Sequence, residues 1–207
     1  MRIVFATGNK DKMREIRGIL GGLGTEILSM KEAGVEGDIE ENGSTFAENS
    51  MIKARGVYKL IQDADEEAAK ETIVLADDSG LEVDYLNKEP GIYSARYMGR
   101  DTSYTEKNNN IIERLSGVPD EKRTARFVCA ISAVLPGGKE LSTVGNMEGI
   151  IGYKIAGTGG FGYDPIFFLP EYGKTSAEIS ADEKNAISHR GKALREMAKL
   201  LKAELSK

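Results

Sequence analysis

Residues 157–170 read GTGGFGYDPIFFLP. Gly157, Gly159 and Gly162 satisfy G-x-G-x-x-G, the spacing of dinucleotide-binding turns. In such a turn the glycines close a strand and open a helix whose N-terminus takes the pyrophosphate. Here they run into Tyr163-Asp164-Pro165, then the strand-like Ile166-Phe167-Phe168, then Pro170. Two prolines around a short aromatic, β-branched run do not start a helix. The dinucleotide reading fails on context, and the fold has to be read from the elements around the loop.

Those elements interleave. Residues 2–6 (RIVFA) read as a buried strand, followed by the turn TGNKDK and a helix with Met13, Ile16, Ile19 and Leu20 on one face. TEILSM is a second short strand. Thr45 and Glu48 have capping-box spacing ahead of a helix that stripes Phe46, Ser50, Val57 and Ile61, with Asn49 and Lys53 beside the stripe. TIVLA (72–76) is a third strand, expected to end at Asp77-Asp78-Ser79-Gly80, and LEVDYL then alternates. A helix around residues 103–117 closes at Gly117, a C-cap candidate. Residues 124–149 form the best hairpin, two strand-like runs around Pro136-Gly137-Gly138. Ser180 and Glu183 make a second capping box. The last helix carries Ala193, Leu194, Met197, Leu200, Leu201 and Leu205 on its apolar face. This order predicts an α/β fold of mixed α+β character, a mixed sheet flanked by helices, with no linker to divide residues 1–207 into more than a single domain.

A net charge of −5 excludes the basic footprint of general nucleic-acid binding. No apolar run approaches the ~20 residues of a membrane span, and the N-terminus lacks the zones of a signal peptide. The one cysteine, Cys129, excludes an internal disulfide and fits a reducing, cytoplasmic setting. Its apolar neighbours mark it as a small buried hydrophobe.

Four polar clusters are candidates for chemistry. Thr7-Gly8-Asn9-Lys10-Asp11-Lys12 sits where a strand hands over to a helix, a place that aims backbone N–H groups and the helix dipole at an anion. It lacks P-loop spacing, and an N-capped turn with surface lysines explains it equally. Asp77 and Asp78 follow four apolar residues; neighbours on a strand face opposite ways, so one can face a ligand or Mg²⁺ while the other braces the loop. An Asx turn closed by Gly80 is the plain alternative. Asp38, Glu40 and Glu41 precede a helix N-cap, and dipole complementarity accounts for them without a metal. Lys184, His189 and Arg190 follow the glycine-rich loop, whose glycines would let backbone approach a flat ring, with Phe161 or Tyr163 available to stack on a base. Together these features suit a nucleoside polyphosphate.

FATGNKDKMREI, STFAENSMIKA, LADDSGLEVDYLNKEPGIYSARY, GTGGFGYDPIFF and EKNAISHRGKAL, in this order, closely resemble the inosine/xanthosine triphosphate pyrophosphatase family. Members hydrolyse aberrant purine nucleoside triphosphates (ITP, dITP, XTP) to the monophosphate and pyrophosphate. The resemblance implies that Thr7, Gly8, Asn9, Lys10, Asp11 and Lys12 bind the triphosphate. Lys53 would reach the phosphates, and Asp78 would be the catalytic carboxylate and a Mg²⁺ ligand, with Ser79 touching substrate. Phe161, Gly162, Tyr163 and Asp164 would form the base-and-sugar loop, and Lys184, His189 and Arg190 would close over the purine. Glu40 matches an acidic position for a second metal ligand, with Glu41 as the alternative. The resemblance further implies Mg²⁺ dependence, a homodimer, and a long mixed sheet with two lobes and the site in the cleft between them.

The expected mechanism is attack of water on the α-phosphorus, with Asp78 orienting and deprotonating it and Lys10, Lys12 and Lys53 neutralising the departing pyrophosphate. Inosine and xanthosine carry an oxygen at C6 where adenine carries an amino group. Buried donors from Arg190, His189 or backbone N–H would therefore oppose ATP and discriminate less against GTP. A pyrimidine-nucleotide diphosphatase and a non-hydrolysing nucleotide sensor are the rival readings.

Overall fold

Residues 3–6 alternate between two cores. Ile3 and Phe5 join one buried cluster, and Val4 and Ala6 join another. A strand apolar on both faces belongs inside a sheet covered by helices. In the computed structural model, which describes residues 1–205, this strand is β1 (Arg2–Phe5), paired in parallel with β2 (Glu26–Ser29) on one side and β3 (Thr72–Val83) on the other. β4 (Thr124–Val134), β5 (Glu140–Ile151), β6 (Phe167–Leu169) and β7 (Lys174–Thr175) complete a seven-stranded mixed sheet in the order β2-β1-β3-β4-β5-β6-β7. The helices are α1 (Lys10–Leu20), α2 (Phe46–Ala64), α3 (Glu66–Lys70), α4 (Tyr104–Arg114), α5 (Ala181–Ile187) and α6 (His189–Leu205). Among the described residues, no helix is long and apolar enough to cross a membrane.

The chain divides into two compact units, each discontinuous in sequence. The first holds residues 1–78, 129–145 and the chain from Arg190 on. In it, Ile3, Phe5, Ile73, Leu75, Ile131 and Ala133 bury one sheet face under α1 (Met13, Ile16, Leu20) and α6 (Ala193, Leu194, Met197, Leu201). The opposite face, with Val4, Val74, Ala76 and Val134, lies under Ala54, Val57 and Ile61 of α2. The second unit holds residues 79–128 and 146–189. Its core gathers Leu81, Val83, Phe127, Met147, Ile151 and Phe167 with Ile111 and Leu115 of α4. Arg123, fully buried, donates to the carbonyls of Leu115, Ile151 and Gly152, so one guanidinium satisfies the end of α4 and the end of β5.

Several expectations are corrected. β3 does not end at Asp77; it runs through Asp78-Ser79-Gly80 to Val83, because Leu81 and Val83 resume burial and keep the strand in the sheet. No Asx turn forms there. Thr45 caps α2 by accepting from the Glu48 N–H, but Glu48 reaches Ser44 N–H and hydroxyl, so that box is not reciprocal. At Ser180 both bonds of the box form. α4 is capped at Leu115, and Gly117 takes its left-handed φ of 74° two residues later. In α6, Leu200 and Leu205 lie exposed, narrowing the apolar face to the remaining four positions.

Gly149 of β5 stands where a Cβ would meet the Phe167 ring at 2.6 Å and the Phe168 carbonyl at 2.7 Å. The carbonyl belongs to a paired strand and cannot withdraw. Gly149→Ala is expected to cost about 1–3 kcal/mol, the range of core overpacking, read as a lower urea midpoint with circular dichroism. An unchanged midpoint would mean that β6 can step back from β5.

Candidate active site

In the first unit, β1 hands over to α1 through a turn built by side chains. Asn9 caps α1, its amide oxygen accepting from the N–H groups of Asp11 and Lys12, and Thr7 Oγ1 accepts from Asn9 N–H. Gly8, Asn9 and Lys10 are exposed. Asp11 is paired with Arg14 on the helix surface. Lys12 turns inward, its Nζ 2.9 Å from Asp77 Oδ2 and 3.0 Å from Oδ1.

Strand alternation separates the two aspartates. Asp77 is fully buried. Arg190 Nη2 lies 3.2 Å from its Oδ2, and Lys53 Nζ donates to its carbonyl at 3.2 Å. Burial by itself would raise the Asp77 pKa. Lys12, Arg190 and Lys53 overcome it and hold the carboxyl far below the ordinary range. Arg190, itself buried, also ion-pairs with Glu15. The guanidinium thus bridges two carboxylates of the first unit. Cys129 is buried as expected, and burial, with Asp77 next, pushes its thiol up to about 12.

Asp78 faces the other way and is half-buried. Asn49 Nδ2 donates to Asp78 Oδ2 at 3.1 Å, and the Asn49 Oδ1 accepts from Gly43 N–H at 2.8 Å. The Lys53 Nζ pairs with Glu41 at 2.9 Å. Burial pushes the Asp78 carboxyl up to about 6 against the pull of Asn49 and Lys53, and Glu41 adds to the rise. The structure therefore brings Glu41, not Glu40, to this cluster. Ile39 packs where a Cβ on Gly56 of α2 would stand, Glu41 lies two residues on with Lys53, and Glu40 between them is exposed. A cavity of about 530 Å³ opens beside these groups, lined by Thr7, Gly8, Glu41 and Lys53 over an apolar floor that includes Val35 and Val57. Ser79 follows on β3, half-buried.

In the second unit, the glycine-rich loop folds on itself. A Cβ on Gly157 would meet the Ala177 backbone at 2.6 Å, and one on Gly160 would meet Asp164 Oδ2 at 2.1 Å; both residues have positive φ. The glycines thus hold their own chain. Asp164 is buried and accepts from Phe161 N–H (2.7 Å), Lys184 Nζ (2.6 Å) and Ser176 Oγ (2.7 Å). Lys184 Nζ also stands 5.1 Å from the Phe161 ring centroid, a cation–π distance. Phe161 is half-buried. Tyr163 is not available for stacking: its ring meets Tyr104 edge-on at 5.3 Å and its hydroxyl donates to the Ser94 carbonyl. His189 stacks on Phe127, with ring centroids 4.9 Å apart.

Sequence reasoning placed Asn49 and Lys53 side by side on α2 and missed that Asn49 orients Asp78. Their four-residue helical spacing was the signal. Glu15 and Ser176 carried no signal, because each is defined by a partner distant in the chain.

A cation-lined turn at a helix start, a buried carboxylate fixed by two cations and its neighbour held half-exposed between Lys53 and Glu41 define an α/β protein equipped for anionic phosphate chemistry. Comparison with known proteins narrows the class. Residues 3–200 match the model of the Ham1 family. The chain is 47% identical over 204 residues to a dITP/XTP pyrophosphatase of Clostridium perfringens, covering 99% of this chain and 98% of that one. It is 48% identical over 194 residues to a dITP/XTP pyrophosphatase of Caldanaerobacter subterraneus, covering 94% and 92%. The solved Ham1 protein of Staphylococcus aureus superposes with a TM-score of 0.84 at 36% identity, covering 99% and 100%. The chain belongs to the Ham1 family.

The two aspartates should part in stability measurements. Asp77→Asn leaves Lys12 and Arg190 facing an uncharged group inside the protein and is expected to cost about 3–5 kcal/mol, the range for breaking a buried pair. Asp78→Asn keeps the Asn49 contact and removes a half-buried charge, so its urea midpoint at pH 7 should equal or exceed that of the parent. Equal losses in both variants would refute the division of labour.

Proposed function

We propose that this chain hydrolyses purine nucleoside triphosphates carrying an oxygen at C6 (ITP, dITP and XTP) to the monophosphate and pyrophosphate. The observation that carries the reading is Asp78, a half-buried carboxyl with its pKa pushed up to about 6, held by Asn49 beside Lys53 and Glu41. A base is most effective when its pKa lies near the working pH. The names of the relatives support the choice of substrate.

Thr7 to Lys12 take the triphosphate end, with Lys10 exposed to it and Lys53 at the cavity wall. Asp78 orients a water and accepts its proton as the oxygen bonds to the α-phosphorus. The bridging Pα–O bond breaks, and its electron pair leaves with pyrophosphate. Lys10, Lys12 and Lys53 balance that developing charge, the dominant contribution expected in phosphoryl chemistry.

Asp78 and Glu41 also fit a hard divalent cation such as Mg²⁺. They are oxygen donors of like charge gathered at one place, and Mg²⁺ is commonly held by one or two carboxylates together with substrate phosphates. Such an ion, when bound, polarises phosphate oxygens and makes water more acidic. Phe161 offers its ring to the base, with Lys184 and His189 in the same unit. A homodimer and a cytoplasmic location belong to the same proposal through the sequence resemblance.

The test is pyrophosphate release from ITP, XTP, GTP and ATP at equal concentrations, with and without Mg²⁺. Fast, Mg²⁺-dependent release from ITP and XTP is expected, and Asp78→Asn should lower it by about 10²–10⁴-fold, the usual worth of a general base. Release from all four would remove the base preference. Release from none would favour pyrimidine nucleotides, or binding without cleavage.

Glu41→Gln and Glu40→Gln should separate in a Mg²⁺ titration. The first is expected to raise the Mg²⁺ concentration for half-maximal rate about tenfold or more, as carboxylate charge sets affinity. The second should leave it unchanged. The reverse order would reinstate Glu40.

A further inference from the structure

Gly56 lies in the interior of α2, where glycine weakens a helix relative to alanine. The space beside it is taken. A Cβ there would meet Ile39 Cδ1 at 2.6 Å, Cγ2 at 2.9 Å and Cγ1 at 3.0 Å, its three nearest neighbours. Ile39 therefore fills a socket in the helix surface, against the cluster that holds Val57 and Ile61. Gly37 makes the converse contact: a Cβ on it would meet Leu60 Cδ1 at 2.7 Å. Gly56 and Leu60 are four apart on one helix face. Residues 37–39 are thus laid against α2 at two places that have no room for a Cβ.

Little else holds this segment. Residues 36–42 belong to no helix or strand, and among the described residues no backbone–backbone hydrogen bond engages them. The chain is tied before them by Val35 N–H, which donates to the Met30 carbonyl at 2.9 Å, and after them by Gly43 N–H on Asn49 Oδ1. Ile39 is the only apolar side chain among the seven. The Glu41–Lys53 pair does not by itself place Glu41, because both side chains are long and Lys53 also donates to the Asp77 carbonyl. The same strap lines the cavity of about 530 Å³ with Gly37, Asp38, Ile39 and Glu41, beside Lys53 and Val57 of α2. Where Ile39 sits thus decides where Glu41 stands.

We propose that Gly56 is a positioning residue: its missing side chain is the socket for Ile39, and the seated Ile39 holds Glu41 beside Asp78 for a divalent cation. This rests on the proposed function for the roles of Glu41 and Asp78. The atoms that Gly56→Ala would crowd are the branches of one side chain on an irregular segment, with no backbone atom among the nearest three. The strap yields, and the helix does not. The variant displaces Glu41 without removing any group that touches substrate or cation, and alanine favours the helix.

The experiment uses the full chain, with Mn²⁺ as the probe for the cation, titrated against free protein and read by electron paramagnetic resonance. Rates on ITP are measured beside it. Gly56→Ala should raise the Kd for Mn²⁺ about tenfold, as expected when one carboxylate is drawn away from a site whose affinity follows ligand charge. Its melting temperature should hold or rise, and kcat at saturating Mg²⁺ should stay within about twofold. Ile39→Val removes Cδ1, the atom that comes closest, so adding it to Gly56→Ala should bring the Kd back to within about threefold of the parent. In a Glu41→Gln background Gly56→Ala should add nothing, because it acts through Glu41.

An unchanged Kd in Gly56→Ala overturns the proposal and leaves the cation reading intact. So does a variant that melts much lower, which would make the socket structural, a pair that shows no recovery, or a further loss in the Glu41→Gln background. A parent that takes up no Mn²⁺ would sink the cation reading and the proposal with it. A parent that binds Mn²⁺ as expected yet cleaves no ITP would sink the hydrolytic reading and leave the socket standing.

Discussion

The first unit is organised around one buried, ionised carboxylate. Asp77 sits in the middle of a strand between Lys12 of α1 and Arg190 at the start of α6. Burying a charge is tolerable only when its partners are close and well aligned. Satisfying Asp77 therefore fixes the rotation of two helices against the sheet. The Glu15 contact to Arg190 ties α1 to α6 a second time. Such a cluster is weak support for stability when compared with an apolar core of equal volume. Its consequence here is registry: it determines which way Lys12 points and, by strand alternation, which way Asp78 points.

Asp78 inherits the opposite environment from the same backbone. It has one amide donor from Asn49 and the charge of Lys53, against burial and Glu41. Two adjacent carboxyls are driven in opposite directions, Asp77 down by its cations and Asp78 up by burial, the kind of divergence that separates acid–base roles in one fold. Asn49 links the two levels of structure. Its oxygen holds Gly43 and its nitrogen holds Asp78, so the helix position, the loop bearing Glu41 and the carboxylate are set together.

Much of this was legible in the sequence, and the failures share a cause. The strands at residues 2–6 and 124–134 and the helix faces were visible because apolar periodicity is local. The division of Asp77 from Asp78 was visible because alternation is local too. The run DDSG resembled a turn because Asp, Ser and Gly favour turns, and only burial of Leu81 and Val83 in a distant core overrides that propensity. Sequence put Arg190 beside His189 but could not show their long-range contacts, Arg190 to Asp77, 113 residues away in the chain, and His189 to Phe127. Glu40 and Glu41 are chemically identical, and only the packing of Ile39 on α2 separates them.

The glycine-rich loop follows the logic of Asp77 with a different outcome. Asp164 collects three donors, one of them the Phe161 N–H, and so freezes the first part of the loop by saturating a buried acceptor. The second part is held by Asn108, whose Nδ2 donates to the Gly162 carbonyl, and by a tyrosine anchored at both ring and hydroxyl. A loop fixed this way presents main-chain groups, and those have one polarity each. Side-chain readers such as histidine can change protonation, and hydroxyls can donate or accept. Main-chain N–H groups cannot adapt, so discrimination built on them depends on geometry alone.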